Sequence, residues 1–295
     1  MEIRFRVMRT RGFTLLELLV VIVITGILAA TVSVFLTPAI SSYFDARRRA
    51  TLTDIADTAL RRMARDVRSA VPNSVRIPSN QCFEVVPTSG GGRYRMGPDT
   101  VNDDALGVCT ATHSCPLDIT QAATRFDSLS PLSVTPAANL DWVVIGNQNT
   151  NDVYAGTNRA RFSSISTPNP AFGAHRINFT STQFPSGYAG GRFVIVPDNG
   201  GNQTVFYVCN TPGLDPQGTG TGTLNRLTRA FNAAYPATCP VGGAILATRV
   251  RSCNFVYSAN QGATQQSGFV WMQLELTEAS ETASLSHGAH VDNVP

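Results

Sequence analysis

Lysine is missing from this sequence; all 23 basic residues are arginine. The bias runs through expected helix, strand and loop alike, so it reads as a genome-composition effect. Cysteine is missing from the first 81 residues and appears six times after them. Charged residues are sparse at 15%, against 43% hydrophobic residues. That balance supports a buried core and excludes a globally disordered chain. No GxSxG elbow, no CxxC pair and no glycine-rich loop followed by lysine occurs. Serine-hydrolase, zinc-ribbon and phosphate-loop chemistry therefore have no sequence support. The expectation is a protein that is not an enzyme and carries no cofactor.

The formal charge of +3 belongs to one end of the chain. Residues 1–12 hold Arg4, Arg6, Arg9 and Arg11 against Glu2, and the remainder balances 19 arginines with 19 acids. Overall basicity gives no argument for a nucleic-acid partner. From Phe13 to Leu36 the only ionisable residue is Glu17. As a helix these residues span roughly 36 Å, enough to cross a bilayer core of about 30 Å. Leu, Val and Ile occupy every face, where a soluble amphipathic helix would show a polar stripe. The arginine leader stays on the cytoplasmic side by the positive-inside rule, placing the rest of the chain across the membrane.

Three readings fit such an opening. A cleaved secretory signal would use "ILAAT" as its small-residue site, but the apolar run continues past it and Glu17 interrupts its core. A plain single-pass anchor leaves Glu17 unexplained. The third reading rests on resemblance. "RGFTLLELLVVIVITGILAA" resembles the class III signal peptides of type IV pilins and of the pseudopilins of type II secretion. The resemblance implies cleavage by a prepilin peptidase after Gly12 and N-methylation of the new first residue, Phe13. It implies that Glu17, fifth in the mature chain, forms an assembly salt bridge with the Phe13 amine of a neighbouring subunit. Partners implied are the prepilin peptidase, other pilin and minor pilin subunits, the inner-membrane assembly platform and membrane lipid. The localisation implied is single-pass in the inner membrane, with the C-terminal domain periplasmic and, after assembly, extracellular on a pilus. "RRMARDVRSAVPNSVRI" (61–77) is similar to the helix end of PilW-type minor pilins and J-type pseudopilins. With the terminal "HVDNVP" it resembles minor pilins of mannose-sensitive haemagglutinin (MSHA) pilus biogenesis.

Pro38 is expected to kink or interrupt the helix, because it lacks an N–H and disfavours helical geometry at Thr37. The family often has its proline nearer Gly26. Beyond it, Ile40, Phe44, Leu52, Ile55, Ala59, Met63 and Val67 recur at three- and four-residue steps with one longer gap. Asp57–Arg61 and Arg62–Asp66 are expected i,i+4 pairs on exposed faces. The breaker "VPNS" at 71–74 ends the helix. Arg47, Arg48 and Arg49 could meet lipid headgroups, and Arg61, Arg62, Arg65 and Arg68 could meet DNA. Interleaved Asp45, Asp54, Asp57 and Asp66 favour a solvated face instead.

From residue 73 the texture is β. "CFEVVP", "DWVVIG", "HRINF", "GRFVIVP" and "QTVFYVC" are short strand-like runs, and 247–258 and 269–277 form an expected hairpin. Residues 98–140 and 147–172 read as long loops, and "QGTGTGT" (217–223) as a flexible one. The cysteine placement agrees with an oxidising compartment. Cys109–Cys115 closes a short loop and is the first expected bridge; Cys209–Cys239 is the second, and Cys82–Cys253 follows by elimination. His287, His290 and Asp292 suggest a metal site only superficially, since i and i+3 in a strand face opposite sides. "PDNGGN" (197–202) offers oxygen ligands for calcium, but its place between two strands reads as a hairpin turn. The expected architecture is α+β, a long N-terminal helix packed on antiparallel sheets. Its parts are a leader (1–12), a membrane segment (13–36), an amphipathic continuation (37–71) and a β-rich domain (72–295).

Overall fold

The computed structural model describes residues 12, 14–103, 109–186, 190–261 and 267–292. Two compact units emerge, Met1–Ala50 and Thr51–Pro295. Helix α1 runs from Leu15 to Arg68, through the division between them. In the first unit none of its residues is buried, and its most apolar stretch has a mean hydropathy of 2.8. An all-round apolar helix that covers nothing within its own chain needs an apolar medium or other helices around it.

Pro38 does not interrupt α1. Its missing N–H deprives the Val34 carbonyl of one partner. Nearby hydroxyls add bonds of their own, from Thr37 to the Ser33 carbonyl at 2.8 Å and from Ser41 to the Pro38 carbonyl at 3.0 Å. Membrane helices tolerate proline by such local adjustments. One lost bond in a 54-residue helix does not end it.

In the second unit the α1 residues Leu52, Ala56, Ala59, Leu60, Met63, Ala64 and Val67 are buried. Their three- and four-residue spacing makes one stripe. It packs on Phe83, Tyr207, Leu224, Phe255, Met272 and Leu274. The strands are β1 (Arg76–Ser79), β2 (Cys82–Val85), β3 (Gly90–Arg93), β4 (Ala123–Ser128) and β5 (Trp142–Val144), followed by the short helix α2 (Asp152–Ala155). Then come β6 (Arg159–Ser166), β7 (His175–Thr182), β8 (Arg192–Val196), β9 (Thr204–Asn210), β10 (Gly222–Arg229), β11 (Ala244–Gln261), β12 (Ser267–Glu278) and β13 (Glu281–Asp292). Seven form one sheet in the order β1-β2-β9-β10-β11-β12-β13, and six form another in the order β3-β8-β5-β6-β7-β4. All pairings are antiparallel. The first sheet holds the helix; the second has its own core around Phe126, Phe162, Phe179 and Phe193. The layout is α+β and consistent with a pilin-like fold.

The stretches expected as long loops contain β4, α2 and β6. The apolar content of the two strands is thin: Ala123 and Phe126 in β4, and Ala160, Phe162 and Ile165 in β6. The "PDNGGN" segment is not a hairpin turn, because β8 and β9 lie in different sheets and the segment carries the chain from one to the other. Asp198 within it is tied to the second sheet, donating its N–H to Asp141 and pairing with Arg161, each at 3.0 Å.

The structure pairs Cys109 with Cys115, Cys82 with Cys239, and Cys209 with Cys253. The last two replace the expected Cys209–Cys239 and Cys82–Cys253. Strand alternation explains the correction. Cys82 clusters with Phe206 and Val208, away from the helix, where Cys239 arrives. Cys209 and Cys253 share the helix-facing core. The β1–β2 turn brings their strands together: Cys209 donates to the Gln81 carbonyl at 2.9 Å, and Phe255 to the Asn80 carbonyl at 2.8 Å. Non-reducing peptide mapping is expected to recover the 82/239 and 209/253 pairs, and loss of either to cost about 2–5 kcal/mol. A recovered 209/239 or 82/253 peptide would refute this pairing.

Candidate functional site

The start of α1 carries the first candidate. Thr14 donates its backbone N–H to Glu17 Oε2 at 3.0 Å, and its hydroxyl contacts the same oxygen at 3.1 Å. In return Glu17 donates its N–H to the Thr14 hydroxyl at 3.2 Å. This is a reciprocal capping box, spelled Thr-Leu-Leu-Glu in the sequence. It satisfies donors that the first helical turn leaves without partners. Sequence reasoning assigned Glu17 a partner in another subunit and overlooked its near neighbour three residues back. Gly12 is exposed just ahead of the box. Phe13 and the leader arginines Arg4, Arg6, Arg9 and Arg11 lie outside the described residues.

The charged face of α1 follows. Arg61 pairs with Asp57 at 2.6 Å and Arg48 with Asp45 at 2.9 Å. Asp66 does not pair with Arg62. It turns to the sheet, accepting from the Tyr207 hydroxyl at 2.6 Å and from Arg226 at 3.0 Å. Burial and the adjacent Asp66 push the Tyr207 phenol well above its ordinary value, so it stays a donor. The half-buried carboxylate thus pins the helix to β9 and β10, a role that exposed i,i+4 bookkeeping misses. Arg62 and Arg65 are exposed.

His287 and His290 fall on opposite faces of β13. His287 meets Arg68 at 3.3 Å, while the His290 ring lies 4.9 Å from that of Phe269. Asp292 pairs with Arg192 at 3.1 Å. Among the described residues no group of three His, Cys, Asp or Glu side chains could hold a metal ion. An open cleft of about 480 Å³ lies where the end of α1, the glycine-rich β3 and the end of β13 meet, with Arg68, Arg93 and Arg192 among its lining residues.

A further constellation had no sequence signal beyond an alternating "RAR". Trp142 on β5 and Arg159 and Arg161 on β6 share one sheet face, where Phe231 from the segment after β10 meets them. The guanidinium carbon of Arg159 lies 4.4 Å from the Trp142 ring centre and 4.0 Å from that of Phe231.

Residues 7–33 match the prokaryotic N-terminal methylation motif. No curated protein and no solved structure matches the chain. The motif covers residues 7–12 of the leader, the Gly12–Phe13 junction, the capping box and most of the apolar run. It supports a type IV pilin or pseudopilin, a protein that meets prepilin peptidase and other pilins. Together, the class III signal and the apolar helix suggest a membrane-anchored, single-pass protein.

Proposed function

We propose that the chain is a minor pilin subunit of a type IV pilus of the MSHA type, priming assembly or standing at or near the tip. The methylation motif carries this reading. The resemblance of residues 61–77 to large minor pilins supports it, as do the three disulfides of the β-rich unit, which suit an extracytoplasmic setting. In this reading the peptidase cuts between Gly12 and Phe13 and methylates Phe13. The apolar part of α1 then holds the subunit in the inner membrane until assembly. The protein works by contact, without catalysis or a cofactor. The motif serves type II secretion pseudopilins equally, and deletion separates the two: loss of surface fibres supports the pilus, loss of secreted enzymes the secretion machine.

Processing is the first test. Gly12→Val is expected to leave a full-length precursor, because a side chain at the cut site obstructs the peptidase. N-terminal mass spectrometry of the wild type is expected to find a methylated Phe13. A mature start near Thr31 would instead establish an ordinary signal peptide.

A further inference from the structure

Among the described residues Arg159 is a cation without a counter-charge. Its side chain sits in the corner of Trp142 and Phe231, whose rings meet edge to face at 84°. Its remaining flank lies against Gly156, which has φ +90°; a Cβ there would fall 3.1 Å from Nη2. Its Nε is enclosed with no acceptor, as is the Trp142 indole nitrogen. Among the described residues no carboxylate pairs with it and no oxygen accepts from its Nη nitrogens, which are not enclosed. The neighbouring arginines are served: Arg161 by Asp198 at 3.0 Å, and Arg229 and Arg76 by Glu84 at 3.0 and 3.5 Å. Burial, and then the like charge of Arg161, pull Arg159 down to about 10, so it remains charged at neutral pH.

A half-buried guanidinium held on two rings with its fork unoccupied is arranged in advance for a planar pair of oxygens. Ordering it costs a ligand little. Two features narrow the ligand. Nucleic acid gains affinity by engaging many phosphates, and only one fork is vacant in this cluster. A sugar needs a bare aromatic face, whereas the Trp142 ring carries both Arg159 and Arg161, the latter at 3.9 Å. A carboxylate needs neither a track of cations nor a ring. We propose that Arg159, held by Trp142, Phe231 and Gly156, is a carboxylate-recognition site that captures an acidic side chain of a partner protein. The inference does not rest on which machine hosts the subunit, since it concerns residues remote in sequence from the methylation motif.

The chain has two tryptophans, Trp142 and Trp271, so Trp271→Phe leaves Trp142 as the single fluorescent reporter. The full chain in non-ionic detergent is titrated with capped tetraglutamate, and with tetraglutamine, oligogalacturonate and oligothymidylate. Tetraglutamate is expected to change Trp142 emission saturably, and tetraglutamine to leave it unchanged. Arg159→Lys keeps the charge but not the planar fork and is expected to weaken binding about tenfold or more. Arg159→Gln is expected to abolish it, and Arg125→Gln, on an exposed residue of β4, to leave it intact. Binding should hold from about pH 6 to 9, and decline below as glutamate protonates near its usual ~4.3. Absence of a saturable response overturns the proposal, as does a response unchanged in the folded Arg159→Lys protein. Tighter binding of oligogalacturonate or oligothymidylate than of tetraglutamate overturns the assignment to an acidic protein partner.

Discussion

Glu84→Ala is expected to destabilise the β-rich unit by about 3–5 kcal/mol, the usual cost of removing one partner from a buried ion cluster. Glu84, on β2, has no exposed side-chain surface, and neither has Arg76 on β1. Arg229 forks onto both carboxylate oxygens, at 3.0 and 3.1 Å, and Arg76 approaches one of them at 3.5 Å. Arg76 also donates to Asn151 Oδ1 at 2.7 Å and to the Asn232 carbonyl at 2.9 Å, and stacks 3.3 Å from the Tyr154 ring centre. Deleting the carboxylate leaves Arg76 sealed from water with only neutral partners. Burial already pulls its pKa below the ordinary arginine value, despite the Glu84 charge. Thermal unfolding should show a drop on the order of 10 °C for a unit of this size. The paired replacement Arg76→Met with Glu84→Leu should recover much of the loss, because it removes both fully buried charges together and leaves only the partly exposed Arg229. A Glu84→Ala protein within about 1 kcal/mol of wild type would show that the cluster does not carry the stability assigned to it.

Neither Arg76 nor Glu84 could be singled out from "VRIPSNQCFEVV", where each looks like an ordinary polar position on a strand. Burial of an ion pair depends on partners 145 and more residues away, such as Arg229 and Asn232. The opening segment is legible because its signal is local: an apolar run without a polar face, one glutamate and the Gly-Phe junction lie within a few turns of helix. The helical stripe through Ala59, Met63 and Val67 is legible for the same reason. The second sheet is not. Its order interleaves strands from residues 90 to 196, and β4 and β6 place few apolar residues inward. The cysteines stand between these cases. Alternation along "QTVFYVC" places Cys209 with Val205 and Tyr207 on one face, a usable signal. The expected Cys209–Cys239 bridge does not use that face, and the structure pairs Cys209 with Cys253 instead.

Glu17→Ala and Glu17→Gln are expected to act alike in assembly and differently in the single subunit. The structure gives Glu17 a role within its own chain, the capping box with Thr14. The proposed assembly role is another: after cleavage at Gly12, Phe13 bears a charged amine, and a neighbour's Glu17 supplies the counter-charge. Glutamine can reach back to the Thr14 N–H and keep the box, but it carries no charge. Alanine does neither. Membrane insertion should not suffer in either variant, since an ionisable group is removed from the hydrocarbon region. Processing should also proceed, because the cut lies upstream of the box. If pairing with the Phe13 amine governs incorporation, both variants should fall several-fold in the ratio of sheared-pilus to membrane-bound protein. If the capping box governs it, glutamine should behave as wild type and only alanine should fall. A subunit at the extreme tip has none above it to receive its Glu17, so there both effects should be small. A ratio unchanged in both variants, with partner subunits also incorporated normally, would leave the capping box as the whole function of Glu17.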